Sequence, residues 1–273
     1  MMRSQKYFVL AYLLFLIGLL ASGSFPPPIS EIVRALAYLL PPLLLAALLG
    51  KKSFDLTVCP PKIGARPLRL TLPLFFPTVL LLFGISALTS LLLGAFGLRS
   101  ETLLTGGAAE IFLTYILFPA LSEEFLFRYL PLSVLASYGK KNAVVFSALC
   151  FALTHCDFFQ MPYAFAAGVL FAAIDLATGS ILPSFLFHLC NNALSVLLLL
   201  YGDVGNFSLI FFSSLVLLSL PSLFFLFCKK EDYRQMFFSE NDKKEKLSFT
   251  YSLFSLIVVC VFFAVCRLIS LAS

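Results

Sequence analysis

Two adjacent glutamates and an arginine lie in an apolar stretch that reads Pro119-Ala-Leu-Ser-Glu123-Glu124-Phe-Leu-Phe-Arg128. On a helix, Glu124 and Arg128 lie on one face, in the order that favours an ion pair. Glu123 points roughly 100° away from them, because a helix has 3.6 residues per turn. It therefore has no fixed partner and is a candidate general base. The structural alternative is that both glutamates pair with Arg128 and only hold the helix in place.

The chain has two histidines, and each stands in a pattern with a spacing of four. Phe151 precedes His155 by four residues and His188 precedes Asn192 by four, so each pair shares one helix face. An imidazole can act as a general acid or base, and an amide can donate to an oxyanion. The alternative for these residues is interhelical hydrogen bonding, which holds many membrane bundles together. We assign such a packing role to Asn191.

Charged groups in hydrocarbon cost about 2.5–3.5 kcal/mol each, so their presence calls for a reason. At 1.5 Å per helical residue, Glu123 lies about 24 Å and His155 about 21 Å from the turn at 139–141. By the same count, His188 lies about 12 Å from the turn before Ser180. The first two side chains match in depth, and His188 joins them only if its helix begins deeper. A glutamate, two imidazoles and an amide that meet inside a membrane predict water-mediated hydrolysis.

The elements that must position these residues are membrane helices. The chain of 273 residues is 60% hydrophobic and only 12% charged, which excludes an ordinary soluble protein. We predict an all-α, polytopic helix bundle with about eight or nine spans, forming a single integral membrane domain over residues 1–273. The predicted spans are 7–21, 31–49, 72–96, 108–137, 142–156, 162–177, 180–201, 206–228 and 247–269.

The segments at 142–156 and 162–177 are short, so eight spans and a re-entrant piece are an alternative to nine. The first span also fits a cleaved signal peptide, although the many later spans favour a retained helix. Basic residues concentrate at one set of span ends, which predicts a cytoplasmic N-terminus in a cell membrane. They include Arg3, Lys6, Lys140, Lys141 and those of the loops at 51–71 and 229–246, against Arg34, Arg99 and Arg267 on the other side.

Seven cysteines are scattered through the apolar segments without a metal-binding spacing. We interpret them as free thiols that act as small apolar side chains. Cys156 adjoins His155, but neighbouring helix positions point apart, which disfavours a thiol nucleophile activated by that histidine.

The three polar patterns, Glu123-Glu124-x-x-x-Arg128, Phe151-x-x-x-His155 and His188-x-x-x-Asn192, resemble in order and spacing those of the CPBP family of intramembrane proteases. This family contains CAAX proteases and bacteriocin-processing enzymes, including type II CAAX prenyl endopeptidases. The turn at 178–180 is also similar to that family. The resemblance covers residues 108–202, the predicted catalytic core. Many members have a glycine directly after the arginine, whereas this chain has Tyr129 at that position. The difference affects how the helix packs locally.

The resemblance implies cleavage of a peptide bond in or beside the membrane. It implies that Glu123 and His155 activate a water, and that His188 and Asn192 stabilise the oxyanion. Glu124 and Arg128 would support the helix. It also leaves open that the protein is a metalloprotease, in which Glu123, His155 and His188 would bind Zn²⁺ and leave one position for water. Without the metal, the reaction needs no cofactor. Water activation without a metal is our preferred interpretation.

The expected partners are a membrane-associated peptide or protein substrate and the lipid bilayer, with no nucleic acid. Two other function classes are weighed against the protease. A non-catalytic immunity or scaffold protein of the same fold has less need of the intact set of polar residues. A proton-coupled transporter would use an intramembrane acid as a relay, but the sequence shows no inverted repeat of the kind that many transporters have.

Overall fold

The structure is a computed structural model that describes residues 2–22, 24–25, 29–49, 65–99, 104, 106–136, 139–237 and 251–272. Several predicted features lie outside these residues. They are the prolines at 26–28, the greater part of the basic loop at 51–71, part of the loop at 97–107, the end of the fourth span at 137, Cys59, and the loop residues 238–250.

Within the described part of the chain, the secondary structure is helical and contains no strand, which confirms the all-α prediction. Two helices combine several segments: α3 covers residues 65–94 and α4 covers residues 108–135. The other helices are α1 (Met2–Ser22), α2 (Ile29–Leu49), α5 (Lys140–Thr154), α6 (Met161–Thr178), α7 (Leu182–Tyr201), α8 (Phe207–Cys228), α9 (Lys230–Phe237) and α10 (Tyr251–Ala272).

Four of the described helices are long and apolar enough to cross a membrane: Pro67–Gly94, Met161–Thr178, Leu182–Tyr201 and Phe207–Cys228. Shorter apolar segments lie at Lys6–Ser22 and Ile32–Leu48. Many large apolar side chains on the outer faces are exposed, such as Leu209, Leu217 and Phe227, as expected for helices that contact lipid. The structure therefore has the form of a membrane helix bundle, while the count of eight or nine spans stays a prediction.

One predicted loop is partly helical. The chain after Cys228, which the sequence indicated to be a mixed-charge loop, forms α9. Its Tyr233 is buried, and the hydroxyl donates to the Leu70 carbonyl over 2.7 Å. This contact with α3 stabilises a short polar segment that has little helix stability of its own, because isolated short helices are marginal in water.

Helix α4 carries the glutamate pair between two π-helical stretches, at Phe112–Leu117 and Phe125–Tyr129. Pro119 and Pro131 lie four residues after Tyr115 and Phe127 and have no backbone N–H to donate to those carbonyls. The hydroxyl of Ser147 in α5 donates to the Phe127 carbonyl instead. The prolines therefore interrupt the regular hydrogen bonding on both sides of the glutamates, where the sequence predicted only a kink at Pro131.

Helices α5 and α6 pack closely because Gly168 lies at their contact. A Cβ at this position would be 2.7 Å from the Cα of Ala148, too close for any other residue without a backbone shift. Gly179 then ends α6 with φ of 68°, a conformation that glycine adopts without strain. This turn directs the chain into α7, so that His188 faces α4.

Candidate active site

Arg128 and Glu124 form the buried ion pair that their spacing predicted. Their side chains are 0% and 1% exposed, and Arg128 Nε lies 3.7 Å from Glu124 Oε1. The guanidinium carbon of Arg128 is 3.9 Å from the centroid of the Phe151 ring and 5.8 Å from that of Phe171. A cation over an aromatic face is stabilised by the ring quadrupole. The arginine is thus held by one carboxylate and two rings.

His188 lies between the two glutamates. Its Nδ1 is 2.8 Å from Glu124 Oε1, and its Nε2 is 3.6 Å from Glu123 Oε2. An ionised carboxylate can only accept, so Nδ1–H donates to Glu124 and fixes the orientation of the ring. His188 is 4% exposed and also contacts the Phe151 and Phe171 rings, at centroid distances of 5.9 and 5.7 Å. It is therefore the histidine that contacts Glu123 directly.

The depth count placed His188 well short of the glutamates, yet the structure joins them. The count assumed that the helices begin at a common level, which the sequence does not determine. His188 contacts both glutamates and the Phe151 ring, so parts of all three motifs meet.

His155 lies at the end of α5, against the same aromatic ring as His188. Its Nδ1 is 2.8 Å from the Phe151 carbonyl oxygen, and its ring meets the Phe151 ring edge-on at a centroid distance of 4.8 Å. A carbonyl accepts, so Nδ1 carries the proton and Nε2 has the free lone pair of a neutral imidazole. Among the described contacts, the hydrogen bond of His155 goes to Phe151 and not to Glu123.

The two asparagines of α7 have different surroundings. Asn192 is half-buried one turn beyond His188, and its side chain has no hydrogen bond with the described residues. Asn191 is buried and donates from Nδ2 to the Tyr163 hydroxyl of α6 over 2.9 Å. This interhelical bond is the packing role expected of Asn191, and it leaves Asn192 as the free amide near the site.

Residues that sequence reasoning missed also belong to this cluster. Tyr38 of α2 and Tyr163 of α6 lie near enough to Glu123 for its charge to act on their hydroxyls. Asp175 and Ser184 are buried next to Glu124. Asp175 could have been found from the sequence, because an ionisable residue in an apolar span is a functional candidate by default. The tyrosines carry no such signal.

The arrangement of the described side chains gives no support to the zinc alternative. Within the described residues, no group of three or more histidine, cysteine, aspartate or glutamate side chains could hold a metal ion. No step of the mechanism below uses a metal.

An apolar cavity of about 270 Å³ opens beside the glutamates, between α2 and α4. Its walls include Tyr38, Leu39 and Leu43 from α2, and Phe118, Leu121 and Phe125 from α4. Ser122, which precedes Glu123, is part of the same wall. An apolar segment in this cavity would therefore lie next to the candidate base.

The comparison with known protein families agrees with the motifs. Residues 105–194 match the family model described as type II CAAX prenyl endopeptidase Rce1-like. Comparison with curated proteins and with solved structures gives no match. The matched segment contains α4 to α6 and the part of α7 that carries His188 and Asn192. The match supports the assignment of this segment to the CPBP family of CAAX-type intramembrane proteases, which its three sequence motifs predicted.

Proposed function

We propose that the protein is an intramembrane endopeptidase in which Glu123 activates the attacking water. The observation that carries this proposal is the position of His188, with one ring nitrogen at each of the two adjacent glutamates. Glu124 orients the ring, and Glu123 keeps an oxygen close to Nε2. Attack of water on an amide carbonyl requires a base that takes a proton from the water and a hydrogen-bond donor that stabilises the oxyanion, on two sides of one small space.

In the proposed reaction, water attacks the scissile carbonyl carbon while Glu123 takes one of its protons. The neutral Nε2 of His155 is a second acceptor in this region and assists in placing the water. Collapse of the tetrahedral intermediate breaks the C–N bond, and the proton held by Glu123 passes to the leaving nitrogen. The new carboxyl group gives up the second proton of the water to the amine, so the products are a carboxylate and an ammonium group.

The oxyanion requires donors. In the proposal, these are Nε2–H of His188, in the form that is protonated on both nitrogens, and the side-chain amide of Asn192. Asn192 has no other hydrogen bond with the described residues and lies one turn from His188, so both can face one oxygen. One such donor contributes about 10²–10³ in rate in a well-studied hydrolase. Glu124 and Arg128 act by holding His188.

The substrate we propose is a peptide or protein anchored in the membrane, with an apolar segment beside the scissile bond. The apolar cavity between α2 and α4 supports this proposal, because it adjoins Glu123 and has almost no polar lining. The family description names CAAX prenyl endopeptidases, so a prenylated CAAX peptide is the first substrate to test.

The test is cleavage by the purified protein in proteoliposomes, measured with a quenched fluorescent, farnesylated CAAX peptide. In parallel, the new N- and C-terminal peptides in membranes of cells with and without the protein would be compared by mass spectrometry. We expect Glu123→Gln to abolish cleavage in both assays while the protein stays folded. The matched control is Glu110→Gln, an exposed glutamate of the same helix, which should retain activity.

The two other function classes give different results in the same experiment. A scaffold or immunity protein would produce no fragments and would keep its effect on cells after Glu123→Gln. A transporter would lose proton-coupled flux in the proteoliposomes and yield no fragments. Fragments that persist in Glu123→Gln would show that Glu123 is not the base.

A further inference from the structure

The chain leaves α5 at His155 through a tight turn that leads to a buried aspartate. The backbone N–H groups of His155 and Cys156 donate to carbonyls three residues earlier, over 3.2 and 3.1 Å, which tightens the end of the helix. Cys156 has φ of 49°, a left-handed conformation that is uncommon for residues other than glycine. Such a conformation persists where the surrounding contacts hold it. The next residue, Asp157, makes contacts of this kind.

Asp157 holds the turn with both of its carboxylate oxygens. Oδ1 accepts the backbone N–H of Phe159 over 2.9 Å, which forms an Asx turn. Oδ2 accepts from Nε2 of Gln160 over 3.0 Å. The Asp157 side chain is 1% exposed, and a buried carboxylate is stable when it has a counter-charge as well as hydrogen bonds. The two amide donors carry no charge, so the turn also needs a cation.

Among the described residues, the cation that pairs with Asp157 comes from α10. Arg267 Nη2 lies 3.2 Å from Asp157 Oδ2. Helix α10 packs against α1 and α5, and its Cys260 and Ala264 are fully buried. Arg267 follows Ala264 by three residues, so it continues the face of α10 that contacts the bundle. The ion pair therefore joins α10 to the turn that follows His155.

The His155 ring is held by α5, and the end of α5 is held by this ion pair. Nδ1 of His155 donates to the Phe151 carbonyl over 2.8 Å, and the two rings meet edge-on. Both contacts fix the ring relative to its own helix. The position of the last turn relative to the other helices depends on the chain that follows it, which Asp157 and Arg267 connect to α10.

We propose that the Asp157–Arg267 ion pair is a latch that positions His155 to place the attacking water at Glu123. Both members of the latch are positioning residues, which act through the backbone of His155. The inference rests on the proposed function for its effect on cleavage, whereas its effect on the His155 ring is separate. The family match at residues 105–194 includes Asp157 and not Arg267, so the match does not predict the latch.

The experiment is a double-mutant cycle of Asp157→Asn and Arg267→Gln, measured as cleavage of the peptide substrate. Asparagine also forms Asx turns, so Asp157→Asn keeps an acceptor for the Phe159 N–H and removes the charge. We expect it to lower kcat by about tenfold with KM little changed, as for other groups that orient a functional imidazole. Arg267→Gln should lower kcat by less, because the arginine is partly exposed. The double variant should be no worse than Asp157→Asn alone, since contacting residues are coupled.

Two further variants separate the latch from a general loss of stability. Arg267→Lys keeps the positive charge and should retain most of the kcat that Arg267→Gln loses. Arg234→Gln is the matched control, because it removes an exposed arginine whose ion pair with Glu231, at 3.9 Å, lies in α9. It should leave kcat at the wild-type value. Melting temperatures would identify any variant that fails to fold, and if Asp157→Asn does, the comparison of Arg267→Gln with Arg267→Lys still tests the latch.

A second measurement needs no substrate. Selective ¹⁵N-histidine labelling gives NMR signals from two rings, because the chain has two histidines, and the signal lost in His155→Asn belongs to His155. We expect Asp157→Asn and Arg267→Gln to shift the hydrogen-bonded Nδ1–H signal of His155 and to leave that of His188 in place. Arg234→Gln should shift neither signal.

Three results would overturn the inference: a His155 signal that stays unchanged in both latch variants, equal shifts of the two histidines, or losses of kcat that simply multiply in the double variant. Equal shifts would indicate a loosened bundle and not the positioning of one ring. If the wild type cleaves nothing, the proposed function fails, and the NMR result still decides whether the latch positions His155.

Discussion

At the scale of single residues, His188 is the side chain that contacts both glutamates. The sequence places Glu123 and Glu124 on different sides of a helix, and one imidazole with a nitrogen at each is the simplest group that connects them. In the proposed mechanism, Glu124 has the role that a carboxylate often has behind a functional histidine, where it fixes the tautomer and the ring orientation. This division of roles makes the two neighbouring acids separable by experiment.

Replacement of Glu124 by glutamine should therefore impair catalysis differently from replacement of Glu123. The amide keeps the size of the side chain but loses the charge that holds His188 and Arg128. We expect Glu124→Gln to lower kcat by about 10–100-fold without abolishing it, whereas Glu123→Gln removes the base and leaves no measurable cleavage. Initial rates of peptide cleavage measure this, with Glu110→Gln as reference. Equal activity of Glu124→Gln and the wild type would contradict the role given to Glu124.

The sequence predicts which residues share a helix face, but not which faces meet. The spacing of four correctly paired Glu124 with Arg128 and Phe151 with His155, because such pairs depend only on local geometry. It could not show that His188 rather than His155 contacts Glu123, since that depends on how α7 is placed against α4. The burial of Asp175 next to Glu124 depends in the same way on the approach of α6.

At the scale of helices, the two π-helical stretches of α4 lie on either side of the glutamates. Each stretch adds a residue to a turn, which rotates the following part of the helix, and such stretches are frequent at functional sites. The prolines at 119 and 131 were visible in the sequence. Their effect on the hydrogen bonding of α4 could not be predicted, because a proline can also kink a helix or end it. The outcome here depends on Ser147 of the neighbouring helix.

Restoring the missing backbone donor should disturb the site without unfolding the protein. Pro131→Ala returns an N–H that can bond the Phe127 carbonyl, in competition with Ser147. The stretch Phe125–Tyr129 would then tend toward a regular α-helix and rotate Arg128 relative to the glutamates. We expect a lower kcat together with an unchanged or higher melting temperature, since proline inside a helix costs about 3 kcal/mol.

The control for Pro131→Ala is Pro221→Ala, which removes a proline from within α8, far along the chain from the motifs. It should leave kcat at the wild-type value. If both substitutions reduced kcat equally, a general loss of helix order would explain the result better than a change in the π-helical stretch.

At the scale of the whole molecule, the bundle leaves an apolar cavity open beside its most polar residues. The composition and span lengths were sufficient to predict an all-α membrane bundle, because a long apolar segment in a bilayer satisfies all its backbone hydrogen bonds when it forms a helix. They could not predict this cavity, which forms where α2 stands away from α4. The family match covers α4 to α6 and the first part of α7, and it does not include α2.

Filling the cavity should weaken substrate binding more than it slows the cleavage step. Leu39→Trp adds a large side chain to the α2 wall, where we propose that an apolar substrate segment lies. We expect KM for the farnesylated peptide to rise several-fold while kcat changes little. Leu217→Trp on the exposed face of α8 is the matched control, and a similar rise in KM there would indicate an effect of added surface and not of the cavity.

The central claim, that water activated at Glu123 attacks a peptide carbonyl, has a direct test in isotopically labelled water. The purified protein would be incubated with its peptide substrate in H₂¹⁸O, and the new C-terminal carboxylate analysed by mass spectrometry. We predict one ¹⁸O atom in the carboxylate formed by the wild type and no product from Glu123→Gln. A product carboxylate without ¹⁸O, or labelled product from Glu123→Gln at the wild-type rate, would contradict the account.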